Sequence, residues 1–262
     1  MNFMLKSASA ERLNTVRKNQ KQLEKLLMKK TDKMKFMLAG CILFTVAGFA
    51  GEQIIFKDTF ESGLKFTSTK NLNQNYTERQ REGQITATYI PGSPGHELSD
   101  DGRLIIGNGA TRLNTNLISW ISSGNFTLSV ETQRISAENG WGSVFMTSSA
   151  EAKRNASVFG FHRFNNGMIA VYSGDRTQTS QTYQPADLQA KYPAYGANKS
   201  HTLKLVSTAG DNGLCQMEFF IDNKSIDTFF YRFPGTKERI IQMQTFGTSM
   251  QFCLDNLMIT VP

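Results

Sequence analysis

From residue 52 onward the chain alternates apolar and polar positions in short runs separated by turn residues, a period of two that predicts strands. Gln84 to Ile90 places Ile85, Ala87 and Tyr89 on one face. Asn125 to Arg134 puts Phe126, Leu128 and Val130 on one side and Thr127, Ser129, Glu131 and Gln133 on the other. Ser157 to Phe164 and Met168 to Ser173 flank Asn165-Asn166-Gly167, residue types that tolerate positive φ and predict a tight hairpin. Thr202 to Ser207 follows, then Gln216 to Ile221, which turns at Asp222-Asn223 into a return strand from Lys224 to Thr228. Gln251 to Val261 closes the chain. No window past Gly51 carries a helical period over ten or more residues, and the stretch from Gly174 to Ser200 reads as one long loop. About a dozen short strands with glycine-rich turns predict an all-β, two-sheet antiparallel jelly-roll sandwich over residues 51–262.

The first 50 residues differ in kind. Phe36 to Gly51 is uncharged and apolar behind Lys29, Lys30, Lys33 and Lys35. It is short of the roughly 20 residues that span a bilayer. A basic start, an apolar centre and small residues at Gly48 and Ala50 predict a helical targeting segment over 34–50, a signal peptide cleaved after Ala50, with an uncleaved anchor as the alternative. Leu38-Ala39-Gly40-Cys41 also resembles a lipobox, but most of the apolar run follows Cys41. Residues 1–33 form a basic extension, read either as an amphipathic surface helix or as an overlong start, translation then beginning at Met28 or Met34. The expected location is outside the cytoplasm: secreted, periplasmic or at the cell surface.

Charge divides at the same boundary. The chain has 29 Lys+Arg and 22 Asp+Glu, net +7; ten of the basic and three of the acidic residues lie in 1–50. The body therefore carries equal numbers of each. A neutral body has no counterion-release drive toward nucleic acid, so that class of partner is excluded from the leading readings.

Three segments carry a resemblance. Ile54-Ile-Phe-Lys-Asp-Thr-Phe-Glu-Ser-Gly-Leu64 resembles the first strand of secreted concanavalin A-like, laminin G-like jelly rolls. His201-Thr-Leu-Lys-Leu with Met217-Glu-Phe-Phe-Ile-Asp-Asn-Lys-Ser-Ile226 resembles their late hairpin, and Cys253-Leu-Asp-Asn-Leu-Met-Ile-Thr-Val261 their last strand. The resemblance implies that the terminal strands pair. It also implies a possible structural Ca²⁺ held by oxygen ligands such as Asp58 and Asp255. The histidines His96, His162 and His201 share no ligand spacing.

Hydrolases of this fold carry carboxylates on one strand in a Glu-x-Asp-x-x-Glu run, and the chain has none. A polysaccharide lyase needs a neutraliser for a uronate and a His or Tyr acid and base, which Gln133, Arg134, His162, Arg163 and Tyr172 would supply. A glycan-binding face asks less: a rim aromatic such as Trp141, with Glu131, Gln133, His162, Arg163, Tyr172 and the loop tyrosine Tyr183 around it. Trp120 reads as core, and Tyr192 and Tyr195 join Tyr183 in the long loop. Cys215 and Cys253, both in predicted strands, form a candidate disulfide, the alternative being two buried thiols. Five Asn-x-Ser/Thr sequons, at Asn75, Asn125, Asn155, Asn198 and Asn223, match what so Asn-, Ser- and Thr-rich a chain produces by chance. The leading expectation is an exported, non-catalytic module that binds polysaccharide or cell-surface glycan. A lyase or hydrolase acting on extracellular glycan and a structural envelope protein are the alternatives.

Overall fold

The computed structural model describes residues 52–61, 72–73, 76–91, 96–99, 102–107, 112–115, 124–134, 139–148, 157–175, 181–235, 239–247 and 250–262. All belong to the unit Gly51–Pro262. The targeting segment, the upstream extension, Cys41 and Trp120 lie outside the described residues.

Among the described residues fifteen strands form two antiparallel sheets. Sheet I holds β1 (Gln53–Asp58), β3 (His96–Leu98), β4 (Leu104–Gly107), β6 (Phe126–Arg134), β11 (His201–Ala209), β12 (Leu214–Ile221), β13 (Lys224–Arg232) and β15 (Gln251–Val261). Its order is β13-β12-β11-β6-β15-β4-β3, and β1 also pairs with β15. Sheet II holds β2 (Tyr89–Pro91), β5 (Arg112–Thr115), β7 (Trp141–Thr147), β8 (Ser157–Phe164), β9 (Ile169–Asp175), β10 (Gln181–Tyr183) and β14 (Ile240–Phe246), in the order β10-β9-β8-β7-β14-β5-β2.

The terminal strands pair as the resemblance implies. β15 is long enough to serve two partners on one side, Gln251 to Leu254 facing β4 and Leu257 to Val261 facing β1. A bulge between Asp255 and Met258, with Asn256 at φ +48°, separates the two halves.

Alternation then fixes the core. Leu128, Val130, Leu203, Leu205, Met217, Phe219, Phe252, Leu254 and Ile259 of sheet I meet Val144, Met146, Phe159, Phe161, Val171, Ile241 and Met243 of sheet II in one buried cluster. Each such side chain contributes roughly 1.5–3 kcal/mol by leaving water.

Both predicted hairpins form. Gly167 has φ +86°, and Asp222 and Asn223 have φ +48° and +65°, the paired positive values of a twist-matched two-residue turn. Two expectations fail. Gln84–Thr88 is not a strand; the Gln84 and Ile85 amides instead donate to the carbonyls of Ile54 and Ile55, and only Tyr89–Pro91 enters a sheet. The long loop is also built: it holds β10 and a helix at Pro185–Lys191. That helix has Pro at its start and a single buried apolar residue, Leu188, so it shows no periodic stripe in the sequence.

Candidate functional site

The outer face of sheet II is aromatic. On β7, Val144 and Met146 point into the core, so Trp141, Ser143, Phe145 and Thr147 point outward. The register sets Phe246 of β14 and Phe164 of β8 on either side of Trp141, and His162 opposite Ser143. Tyr172 of β9 lies opposite Gly160.

These rings form a ladder across four strands. Trp141 stacks on His162 with centroids 4.3 Å apart and planes 12° apart, and on Phe246 at 5.7 Å and 17°. The two partners lie on the strands flanking β7, so both faces of the indole are occupied. His162 continues to Tyr172 at 4.9 Å, whose hydroxyl lies 3.4 Å from Nδ1. Phe145 packs under both, 4.8 Å from His162 and edge-on to Tyr172 at 5.4 Å. Such pairs are each worth about 0.5–1.5 kcal/mol beyond burial. Gly160 makes room: at φ +152°, a Cβ there would lie 2.0 Å from the Val144 carbonyl oxygen and 2.9 Å from the Phe145 ring. Phe246 remains 57% exposed beside its stack on Trp141, and Ile90 is 53% exposed on the same side of the sheet.

Of the predicted site residues, this face gathers Trp141, His162 and Tyr172. The others lie elsewhere. Arg163 follows His162 in an alternating strand and so points inward, where it is fully buried. It donates to the carbonyls of Thr132, Gly196, Ala197 and Lys199 and to the Thr132 hydroxyl. Burial lowers its pKa. Arg134 donates to the Asn165 carbonyl and to Asn198 Oδ1. Glu131 and Gln133 lie on the outer face of sheet I, where Glu131 accepts from Ser200 Oγ at 2.6 Å and Gln133 from Arg103 at 2.7 Å. The lyase constellation is thus divided among three places, because neighbours in sequence on a strand face opposite sides.

Tyr183 is buried against Phe219 and donates to Asp227 Oδ2 at 3.0 Å; burial first, then that carboxylate, raise its pKa. It braces the core and offers no ring to a ligand. Tyr192 and Tyr195 are likewise engaged, donating to Asp222 and to the Gly167 carbonyl.

Asp58 and Asp255 do not share a site. Asp58 pairs with Leu257 on the inner face and is completely buried. Its carboxylate accepts from Tyr89 OH at 2.7 Å, the Phe60 amide at 2.8 Å, Gln80 at 3.0 Å and Arg79 Nε at 3.0 Å, which fills its lone pairs with protein donors. Asp255 lies opposite Glu131 on the outer face. Among the described residues no three His, Cys, Asp or Glu side chains are arranged to hold a metal ion. The candidate disulfide fails for a similar reason. Cys215 and Cys253 are buried thiols not bonded to each other, on strands separated by β11 and β6, and of the two Cys215 joins the main core.

Phe246 and Ile90 were not singled out from the sequence. The signal was present in Ile240 to Phe246, where Ile241, Met243 and Thr245 alternate with Gln242, Gln244 and Phe246. Only the register shows that Phe246 abuts Trp141.

The order of strands in the two sheets and the paired termini define a concanavalin A-like jelly roll. Solved structures carry the same fold. The chain is similar to the β-glucanase of Bacillus licheniformis, with 8% identity over 81% of this chain and 99% of that one and a TM-score of 0.52. It is similar to an endo-β-1,3-glucanase from Pyrococcus furiosus, with 12% identity over 80% and 94% and a TM-score of 0.52. A glycoside hydrolase family protein from Mycobacterium thermorestibile gives 11% identity over 78% and 99% and a TM-score of 0.51. No protein-family model and no curated protein matches the sequence. At these identities the likeness concerns the fold.

Proposed function

We propose that the outer face of sheet II binds an extracellular glycan, and that the protein is an exported, non-catalytic recognition module. The observation that carries this reading is the ladder Phe246, Trp141, His162, Tyr172, which ends on an exposed aromatic ring. A sugar ring stacks on such a ring through its C–H groups, while half-buried Trp141 and Tyr172 lie beside it, braced by His162. Two of the similar structures are glucanases, which supports a saccharide partner. Support for binding over hydrolysis comes from β7, whose outward residues are Trp141, Ser143, Phe145 and Thr147. None of these is an acid or a nucleophilic carboxylate.

On this reading Phe246 is the platform and Trp141, stacked behind it, braces it. A panel of insoluble and immobilised polysaccharides tests the reading. The wild type is expected to be retained by at least one without releasing reducing ends or unsaturated uronates. Phe246→Ala should weaken that retention about tenfold (~1.4 kcal/mol). Retention unchanged in Phe246→Ala, or steady product release, would overturn it.

A further inference from the structure

His201 opens β11 and is 3% exposed. Its Nδ1 lies 2.6 Å from Asp222 Oδ2 in the β12–β13 turn, and its Nε2 lies 3.0 Å from the backbone nitrogen of Gly196. One neutral tautomer satisfies both: Nδ1–H donates to the carboxylate, and the Nε2 lone pair accepts the Gly196 N–H. The ring is also stacked on Tyr195, 4.9 Å away at 24°, and meets Tyr192 edge-on at 6.3 Å. The imidazole therefore joins the loop Tyr192–Ser200 to the late hairpin.

A second proton would land on Nε2, facing an N–H. The alternative acceptor is the Gly196 carbonyl, 3.2 Å from Nε2, which already accepts from the buried Arg163 guanidinium at 3.2 Å. Among the described residues Arg163 is hydrogen-bonded to carbonyl and hydroxyl oxygens, and the Asp222 carboxylate acts on its charge only through space. The charged and titratable groups around the ring are Asp222, Tyr192 and Tyr195, with Arg163 behind Gly196, Arg134 on Asn198, and Lys199 and the Ser200-bonded Glu131 at the rim. Asp222 holds its proton weakly: burial raises its pKa, but hydrogen bonds from His201, the Thr202 amide and Tyr192 outweigh that. At neutral pH it is thus a carboxylate facing Nδ1.

We propose that His201 is a pH-operated latch on the loop Tyr192–Ser200: neutral, it holds the Gly196 amide and closes the loop; protonated, it releases that amide and the loop opens. The latch does not depend on the glycan reading. Its opening would reach the segment leading into Trp141, since Arg134 joins Asn198 to the Asn165 turn, and Asn165 donates to the Gly140 carbonyl at 3.0 Å.

Hydrogen exchange at pH 7.5 and 5.5, corrected for intrinsic rates, tests this. Amides 195–200 are expected to lose protection about tenfold at pH 5.5, the scale of one lost hydrogen bond, while Leu203 and Leu205 in mid-strand stay constant. In His201→Gln the loop should show no such pH step. Should that variant fail to fold, ring-nitrogen NMR of the wild type decides, since protonation of His201 must track the loop amide shifts. Equal corrected protection at both pH values, a step that persists in His201→Gln, or a loop that opens while His201 stays neutral would each overturn the proposal.

Discussion

Asp255→Asn should stabilise the protein at neutral pH. Asp255 sits half-buried at the β15 bulge, directly across from Glu131, with its pKa pushed up to about 6. Burial is the largest cause; the charges of Glu131 and Glu61 add to it, while the Asn256 amide and Arg103 oppose it. An aspartate in the unfolded chain titrates near about 3.9. The folded state therefore binds this proton more tightly. Stability from this site is present below about pH 4 and is lost as pH rises through about 6. Taken at face value the difference is worth ~3 kcal/mol at pH 7. Solvent screening of a half-exposed group brings the expectation to about 1 kcal/mol. Asparagine removes the charge and keeps an oxygen to accept from the Asn256 amide, a bond of 2.7 Å in the native protein. By scanning calorimetry, Asp255→Asn is expected to raise Tm by about 2–4 °C at pH 7.5. The gain should shrink to nothing by about pH 4, where wild-type Asp255 is itself protonated. A variant no more stable than wild type at pH 7.5, or a gain that does not change with pH, would refute the reasoning.

Asp58→Asn is expected to act in the opposite direction, leaving the Arg79 guanidinium buried without its carboxylate. The cost should be about 3–5 kcal/mol, read as a fall in Tm on the order of 10 °C; a change under about 2 °C would show the network to be dispensable. Export with cleavage after Ala50 predicts a mature protein whose intact mass corresponds to a chain starting at Gly51. A mass that retains residues 36–50 would favour the anchor instead.

Much of the framework was legible because it rests on local rules. Phe126 to Gln133 alternates strictly, so the core face of β6 follows from the sequence. Asn165-Asn166-Gly167 and Asp222-Asn223 announce their turns through residues that accept positive φ. The helix at Pro185–Lys191 was hidden because it buries only Leu188. Gln84–Thr88 misled because its alternation serves a segment whose first two amides bond to β1 and which is not itself a strand.

The site was legible only in part. Trp141, His162 and Tyr172 can be picked out by residue type, but so can Arg163 and Tyr183, which the structure buries as braces. Alternation puts His162 and Arg163 on opposite faces, yet which face is the core depends on what packs against it. The sequence by itself determined an all-β body, its charge neutrality and the positions of its turns, because these depend on residues close together along the chain. Only the tertiary structure decided that Phe246 stacks on Trp141 some 100 residues away, that Asp58 faces Arg79 and not Asp255, and that Cys215 and Cys253 stay apart. Those outcomes depend on strand order and register, which are set by how the two sheets bury their inner faces together.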